Sequence, residues 1–172
     1  SIKKISWISN LVTQGGNPNY SLGKVNKSYR VLKTKSLYND IIKYLEADPI
    51  SKETYDEEKK SLLKNGDLLI SIVGSGSIGK VNIFNPHDDN NYIYSRSLGC
   101  VRLNSSINPY FIKYFFQSSI GKDLIYQGIK GSTGQEVVQT SYISNLRIPI
   151  PNKEEQNEIV DIIDQKISNI NN

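Results

Sequence analysis

Gly66-Asp67-Leu68-Leu69-Ile70-Ser71-Ile72-Val73-Gly74-Ser75-Gly76-Ser77-Ile78-Gly79-Lys80 carries an apolar run, Asp67 to Val73, straight into a glycine-rich turn. Gly74, Gly76 and Gly79 satisfy G-x-G-x-x-G. With Lys80 they also approach the phosphate loop G-x-x-x-x-G-K-[ST], except that Val81 stands where the magnesium-binding hydroxyl belongs. Both motifs require a helix to begin at the last glycine, because its N-terminal amides hold the phosphate. The chain continues instead as Val81-Asn82-Ile83-Phe84-Asn85-Pro86, which alternates apolar and polar residues and stops at a proline. That pattern predicts a short strand, so the block reads as strand–loop–strand, with an amide-rich loop and one lysine at its end.

Around this block lie 172 residues with 37% hydrophobic content and a net charge of +4, a mean hydropathy of -0.43 and a pI near 9.0. This is enough chain for one domain with a real core, and no apolar run approaches the ~20 residues of a membrane span. A cytoplasmic location is expected. Ser1 is an unusual native first residue and there is no methionine, which suggests a piece of a larger protein. The single cysteine, Cys100, excludes an intramolecular disulfide and a Cys-rich zinc site, and it reads as a buried, inert thiol. The single histidine, His87, falls in the turn Asn85-Pro86-His87-Asp88-Asp89. A His-based triad or metal site therefore has little support, and no cofactor is expected.

Charge is segregated along the chain. Basic residues gather at Lys24, Lys27, Arg30, Lys33 and Lys35, and recur at Lys80, Arg96, Arg102, Lys122 and Lys130. Acidic residues concentrate from Glu53 to Glu58 and from Glu154 to Asp164, so one face of the molecule can be positive while another is acidic.

Trp7 to Val12 reads as a short apolar element, followed by a turn at Gln14-Gly15-Gly16-Asn17-Pro18. Leu37, Ile41, Tyr44 and Leu45 follow helical spacing, which predicts a helix from Ser36 to Asp48-Pro49, with Lys52 to Leu63 irregular beyond it. Tyr92–Arg96 and Gly99–Leu103 are expected as a strand pair. Asn108-Pro109 opens a helix whose inward face is Ile112, Phe115, Phe116, Ser119 and Ile120, with a break expected at Gly121. A second glycine- and hydroxyl-rich loop spans Gly128 to Gln135, and strand-like Val137-Val138 and Leu146 to Pro149 follow it. After the stiff Pro149-Ile150-Pro151, Asn152 and Glu155 have capping-box spacing. In the helix they start, Val160, Ile163, Ile167 and Ile170 fit a heptad stripe that serves either a coiled coil or the chain's own core.

No nucleophile, base and orienting group assemble from this sequence. Asn108-Pro109-Tyr110-Phe111 approaches the Asn-Pro-Pro-aromatic signature of amino-methyltransferases but lacks the second proline, and a capped helix start explains it fully. The adjacent acids Asp88/Asp89, Glu57/Glu58 and Glu154/Glu155 read as solvated charge. What remains is two polar loops, Gly74–Lys80 and Gly128–Gln135, each combining glycine, hydroxyls and a cation. Such loops suit phosphates, and a glutamine such as Gln135 can pair bidentately with adenine in the major groove.

The order of blocks resembles a known family. Trp7 with Gly15-Gly16-Asn17-Pro18 comes first, then Leu63-Lys64-Asn65-Gly66-Asp67-Leu68-Leu69-Ile70-Ser71 with Gly79-Lys80. Asn108-Pro109-Tyr110-Phe111 and Gly131-Ser132-Thr133-Gly134-Gln135 follow, and Leu146-Arg147-Ile148-Pro149-Ile150-Pro151 with Glu155-Gln156-Asn157-Glu158-Ile159-Val160 closes the series. This looks like a target recognition domain of type I restriction–modification specificity subunits, a domain also found fused to methyltransferases. Residues 20 to 60 match least.

The resemblance implies an α/β (α+β) domain over residues 1–151, with a small mixed or antiparallel sheet and packed helices, that reads one half of a bipartite DNA target. It also implies that residues 152–172 begin a spacer helix, through which Val160, Ile163, Ile167 and Ile170 meet a second recognition domain. The implied partners are double-stranded DNA and a methyltransferase subunit or fused domain, with catalysis carried by the partner. On this basis Lys24, Lys27, Arg30, Lys80 and Lys130 are assigned to phosphates. Gln135, Ser132, Thr133 and the loop from Ser75 to Ser77 are assigned to bases, and Arg96 is added to the same surface. Two alternatives stay open: a module that docks a methyltransferase and touches DNA little, and a nucleotide-binding enzyme built on Gly74–Lys80.

Overall fold

In the computed structural model, which describes residues 1–171, the apolar run after Asp67 becomes a strand buried at every position. In chain order the elements are β1 (Ile2–Lys4), β2 (Ser9–Gln14), β3 (Val25–Leu32), β4 (Asp48–Ser51), helix α1 (Lys52–Glu57) and that strand, β5 (Leu68–Ser71). Next come β6 (Val81–Ile83), β7 (Asn91–Tyr94), β8 (Leu98–Leu103), helices α2 (Pro109–Gln117) and α3 (Ser119–Tyr126), β9 (Ile129–Lys130) and β10 (Val137–Val138). The chain closes with α4 (Thr140–Asn145), β11 (Arg147–Pro149) and α5 (Lys153–Ile170). The final residue of the expected spacer segment, Asn172, lies outside the described residues. No helix among them is long and apolar enough to cross a membrane.

A four-stranded antiparallel sheet, ordered β2-β8-β5-β6, forms the centre. Successive side chains of a strand point to opposite faces, and β5 uses both. Leu68 and Ile70 join Val101, Ile112, Phe116, Ile125, Ile143, Ile148 and Val160 in the larger core. Leu69 faces the other way and packs with Leu32, Phe84, Tyr92, Tyr94, Leu98 and Cys100. That second layer is covered by a three-stranded sheet, β4-β3-β7, in which β3 pairs antiparallel to β4 and parallel to β7. Cys100 is fully buried, and desolvation pushes its thiol pKa far above the usual range, so it stays an unreactive packing group.

The expected fold class holds, as do the strand after Lys80, the helix cap at Asn108 and the capping box of Asn152 with Glu155. Several local expectations need correction. The helix over residues 36–48 does not form. Leu37 and Ile42 instead pair as an antiparallel bridge, and the Tyr38 amide donates to the Ile41 carbonyl (3.0 Å) across an Asn39-Asp40 turn. The bridge buries Leu37 and Ile42 and leaves Ile41 and Leu45 exposed, at 52% and 89%, so the helical spacing marked the wrong pair of residues. Asp48-Pro49 lies in β4, and part of the stretch read as irregular is α1, capped by the Ser51 side chain.

β7 and β8 are strands but not partners of one another: β7 joins β3, while β8 lies between β2 and β5. The break after α2 falls at Ser118, whose side chain caps α3, and Ser119 and Ile120 are exposed. Gly121 does not break a helix. It lies where a Cβ would meet the Phe115 carbonyl oxygen at 2.0 Å, so it permits the close approach of α3 to the end of α2.

Candidate nucleic-acid interface

The loop between β5 and β6 holds Gly74, Gly76 and Gly79 at φ +103, +74 and +90, in the left-handed region that side chains with a Cβ avoid. No helix follows, and β6 starts at Val81. Three of the loop amides, including two of the three glycine amides, are also committed within the fold. Gly74 donates to the Glu136 carbonyl, Ser77 to Gly74 and Gly79 to Ser71, at 3.1, 3.1 and 2.9 Å. A phosphate-cradling loop needs those donors free and a helix behind them, so the nucleotide-site reading of Gly74–Lys80 fails on both counts.

The bond from Gly74 to Glu136 has a larger consequence, because it joins the two polar loops that residues 81–127 separate in the sequence. Val73 bridges Val137, the Val138 amide donates to the Ile72 carbonyl (2.8 Å), and Val137 pairs on its other side with Lys130. Two strand spacings thus put the Lys130 backbone roughly 10 Å from Val73. The hairpin tip, Gly131 to Gln135, is exposed throughout and is closed by the Gln135 amide donating to the Ser132 carbonyl (2.8 Å). Ser75 and Gly76 are exposed beside it, Ser77 is half-buried, and the Tyr126 ring covers Gly79. The exposed tip carrying Ser132, Thr133 and Gln135 therefore lies on the same side of the molecule as the 75–77 loop, two strand spacings away.

Cations flank this surface. Lys80 is half-buried at the start of β6, its ammonium 5.3 Å from the centre of the Tyr38 ring. Arg96 is exposed in the turn between β7 and β8; the Ser97 carbonyl of that turn accepts from Ile72, and Leu98 pairs with Ser71, so Arg96 sits at the same end of the central sheet. Lys24 and Lys27 are exposed but lie near the opposite end of β3, over an open cleft of about 490 Å³ shared with Lys52 and Glu53. The C-terminal end of β3 leads to Thr34, which contacts Ser71 and Ser97, so these lysines are one strand length, up to ~25 Å, from the loops. Arg30 is partly committed to the fold, donating to the Lys27 and Ala47 carbonyls at 3.0 and 3.2 Å. Asp48 pairs with both Lys33 and Lys35 and offsets one of their two charges.

The terminal helix divides along its length. Val160 is 6% exposed within the main core, Ile163 is half-buried, and Ile167 and Ile170 are 43% and 83% exposed. Gln156 locks its first turns to α2, accepting from the Asn108 amide (2.8 Å), and Tyr114 donates to Asp164 further along. Helices α2 and α5 thus run side by side in the same direction, with the end of α5 left uncovered.

Sequence reasoning singled out no residue between 36 and 48 for the site, yet this segment supplies Tyr38 beside Lys80. The Asn39-Asp40 dipeptide, a turn signal between two apolar residues, was the pointer available.

A family model described as Type I restriction modification DNA specificity domain matches residues 2–172. The chain belongs to this family. The specificity domain is 28% identical, over 117 residues, to the type I restriction enzyme EcoBI specificity subunit of Escherichia coli, a match covering 67% of this chain and 24% of that subunit. Its fold is similar to that of the HsdS subunit from Thermoanaerobacter tengcongensis (TM-score 0.62, 16% identity, 99% of this chain and 38% of that one). It is also similar to the S subunit from M. genitalium (TM-score 0.62, 19% identity, 98% and 40%). A chain from a structure addressing assembly and conformational transition of a type I R-M system gives a TM-score of 0.68 at 17% identity, over 99% of this chain and 38% of that one. The specificity domain spans about a quarter of the E. coli subunit and about two fifths of these structures.

Proposed function

We propose that this specificity domain recognises a short double-stranded DNA sequence and directs a methyltransferase partner to it, acting in the cytoplasm without catalytic residues of its own. The observation that carries the proposal is the joining of the two polar loops by the Val73–Val137 bridge, with Lys80, Arg96 and Lys130 around them. The exposed hydroxyl and amide side chains of Ser75, Ser132, Thr133 and Gln135 suit base edges, and the cations suit phosphates. Residues 1–151 would form the reading unit. The uncovered Ile167 and Ile170 at the end of the 152–172 segment would meet a second recognition unit or the methyltransferase. Lys24 and Lys27 would touch the backbone about a strand length away, if the duplex follows β3.

Binding of purified protein to duplexes selected from a random pool tests the division of labour. Lys80→Ala is expected to weaken binding to all duplexes and reduce the salt dependence, whereas Gln135→Ala loses mainly the preference for the selected sequence. Equal losses on selected and scrambled duplexes by both variants would show the assignment to be wrong.

A further inference from the structure

The hairpin from Leu37 to Ile42 is fastened to the strand that follows Lys80. The Asn82 side-chain amide, 7% exposed as a residue, donates to the Tyr38 carbonyl (3.0 Å), and the Val81 amide donates to the Asn39 side chain (3.1 Å). Gln117, from α2, donates to the Asn39 and Val81 carbonyls at 2.6 and 3.0 Å. This set of bonds holds the Tyr38 ring beside two lysines from different segments. The Lys43 ammonium lies 4.5 Å and the Lys80 ammonium 5.3 Å from its centre.

Two ammonium groups converging on one ring repel each other, and a single aromatic face attracts each only weakly. Glu46 stands 3.6 Å from the Lys43 ammonium and offsets one charge. Lys80 forms no ion pair among the described residues, and the Tyr38 hydroxyl has no hydrogen-bond partner among them. The cluster therefore keeps one ammonium without an ion pair and one unused hydroxyl donor among the described residues, and it borders the loop surface assigned above to DNA.

We propose that Tyr38, Lys43 and Lys80 form a clamp for one backbone phosphate of the bound duplex. Both lysines contact the phosphate oxygens, and Tyr38 acts as the positioning residue that sets their spacing. The proposal rests on the DNA-recognition reading and adds to it two contacts from a segment that sequence patterning assigned to a helix.

The test measures binding of the full chain to a selected and a scrambled 20-base-pair duplex across a sodium chloride series. Lys43→Gln is expected to lower the slope of log affinity against log salt by about 0.9, as Lys80→Ala does, because each removes one phosphate contact. Tyr38→Ala is expected to weaken both duplexes three- to tenfold, while Tyr38→Phe, which keeps the ring, stays within about threefold of the parent. Tyr38→Ala should weaken the Lys80→Ala variant by less than it weakens the parent, since only Lys43 is then left to position. Lys43 is exposed, so Lys43→Gln reports on the clamp even if Tyr38→Ala disturbs the hairpin. If Lys43→Gln and Tyr38→Ala both bind like the parent while Lys80→Ala is weakened, the clamp is wrong and the DNA reading stands. If the parent chain binds neither duplex, the DNA reading fails and the clamp fails with it.

Discussion

The two ends of strand β5 are built from opposite materials. Where the strand begins, the Asp67 side chain is 2% exposed and accepts two hydrogen bonds of 2.8 Å from the Arg102 guanidinium, which also donates to the Leu62 carbonyl. Asp67 accepts the Lys64 amide as well, so the charges at this end are satisfied within the fold. Where the strand ends, the chain turns through glycines at positive φ, exposes short hydroxyls and a glutamine, and gathers cations that lack carboxylate partners among the described residues. The sheet is thus closed at one end and unfinished at the other. Internal satisfaction marks one end, and cations without carboxylate partners mark the end proposed to face DNA.

The largest effect that sharpens this contrast is expected at the closed end. Asp67→Ala leaves the half-buried Arg102 guanidinium and the Lys64 amide without their acceptor and is expected to cost about 2–3 kcal/mol of stability. Urea denaturation measures that loss. Duplex affinity of the folded fraction should stay within about twofold of the parent, and a large loss of affinity without loss of stability would reverse the roles of the two ends.

At the open end, Gly76 has φ +74 and nothing within 4 Å of an added Cβ, so Gly76→Ala meets backbone strain without a clash. A stability loss of about 1–2 kcal/mol is expected, together with a weakened preference for the selected duplex. Lys80→Ala should leave stability within ~0.5 kcal/mol of the parent yet lower the salt slope by about 0.9. Denaturation curves and salt titrations separate the two variants.

The smallest effect lies at Asp48, in the neighbouring sheet. Burial tends to raise its pKa, but hydrogen bonds from Lys33 and Lys35 outweigh this and hold the carboxyl below its usual value. A carboxyl depressed in the folded state stabilises above its unfolded pKa of ~3.9, and the contribution disappears as pH falls through the lower folded value. Stability should therefore decline on acidification below about pH 4. Asp48→Asn is expected to remove less than ~1 kcal/mol of the stability seen at neutral pH, as befits a partly exposed pair. Parallel denaturation series at pH 3 and pH 6 check this.

Much of the closed part of the molecule was legible in the sequence because local signals and burial agree there. The apolar run after Asp67, the Asn108-Pro109 cap, the Asn152/Glu155 box and the strand stopped by Pro86 each use residues whose role is decided by near neighbours. The hairpin at Leu37 to Ile42 was not legible in that way. Leu37, Ile41, Tyr44 and Leu45 match a helix period, but the decisive bonds come from Asn82 and Gln117, far along the chain. The partners of β7 and β8 were hidden for the same reason, since adjacent strands in sequence went to different sheets. Each polar loop was visible as a candidate, whereas their union through Val73 and Val137 is a tertiary fact that no spacing rule carries.

The central claim is that the glycine-loop end of the sheet reads DNA sequence. Its most direct test is selection of duplexes from a random pool by the parent chain and by Gln135→Ala, followed by sequencing and affinity measurement. The account predicts that the parent enriches a defined short motif. Gln135→Ala should lose enrichment at one or two positions of that motif while retaining affinity for bulk duplex within about threefold. Identical enrichment by both proteins, or no enrichment by the parent, would contradict it.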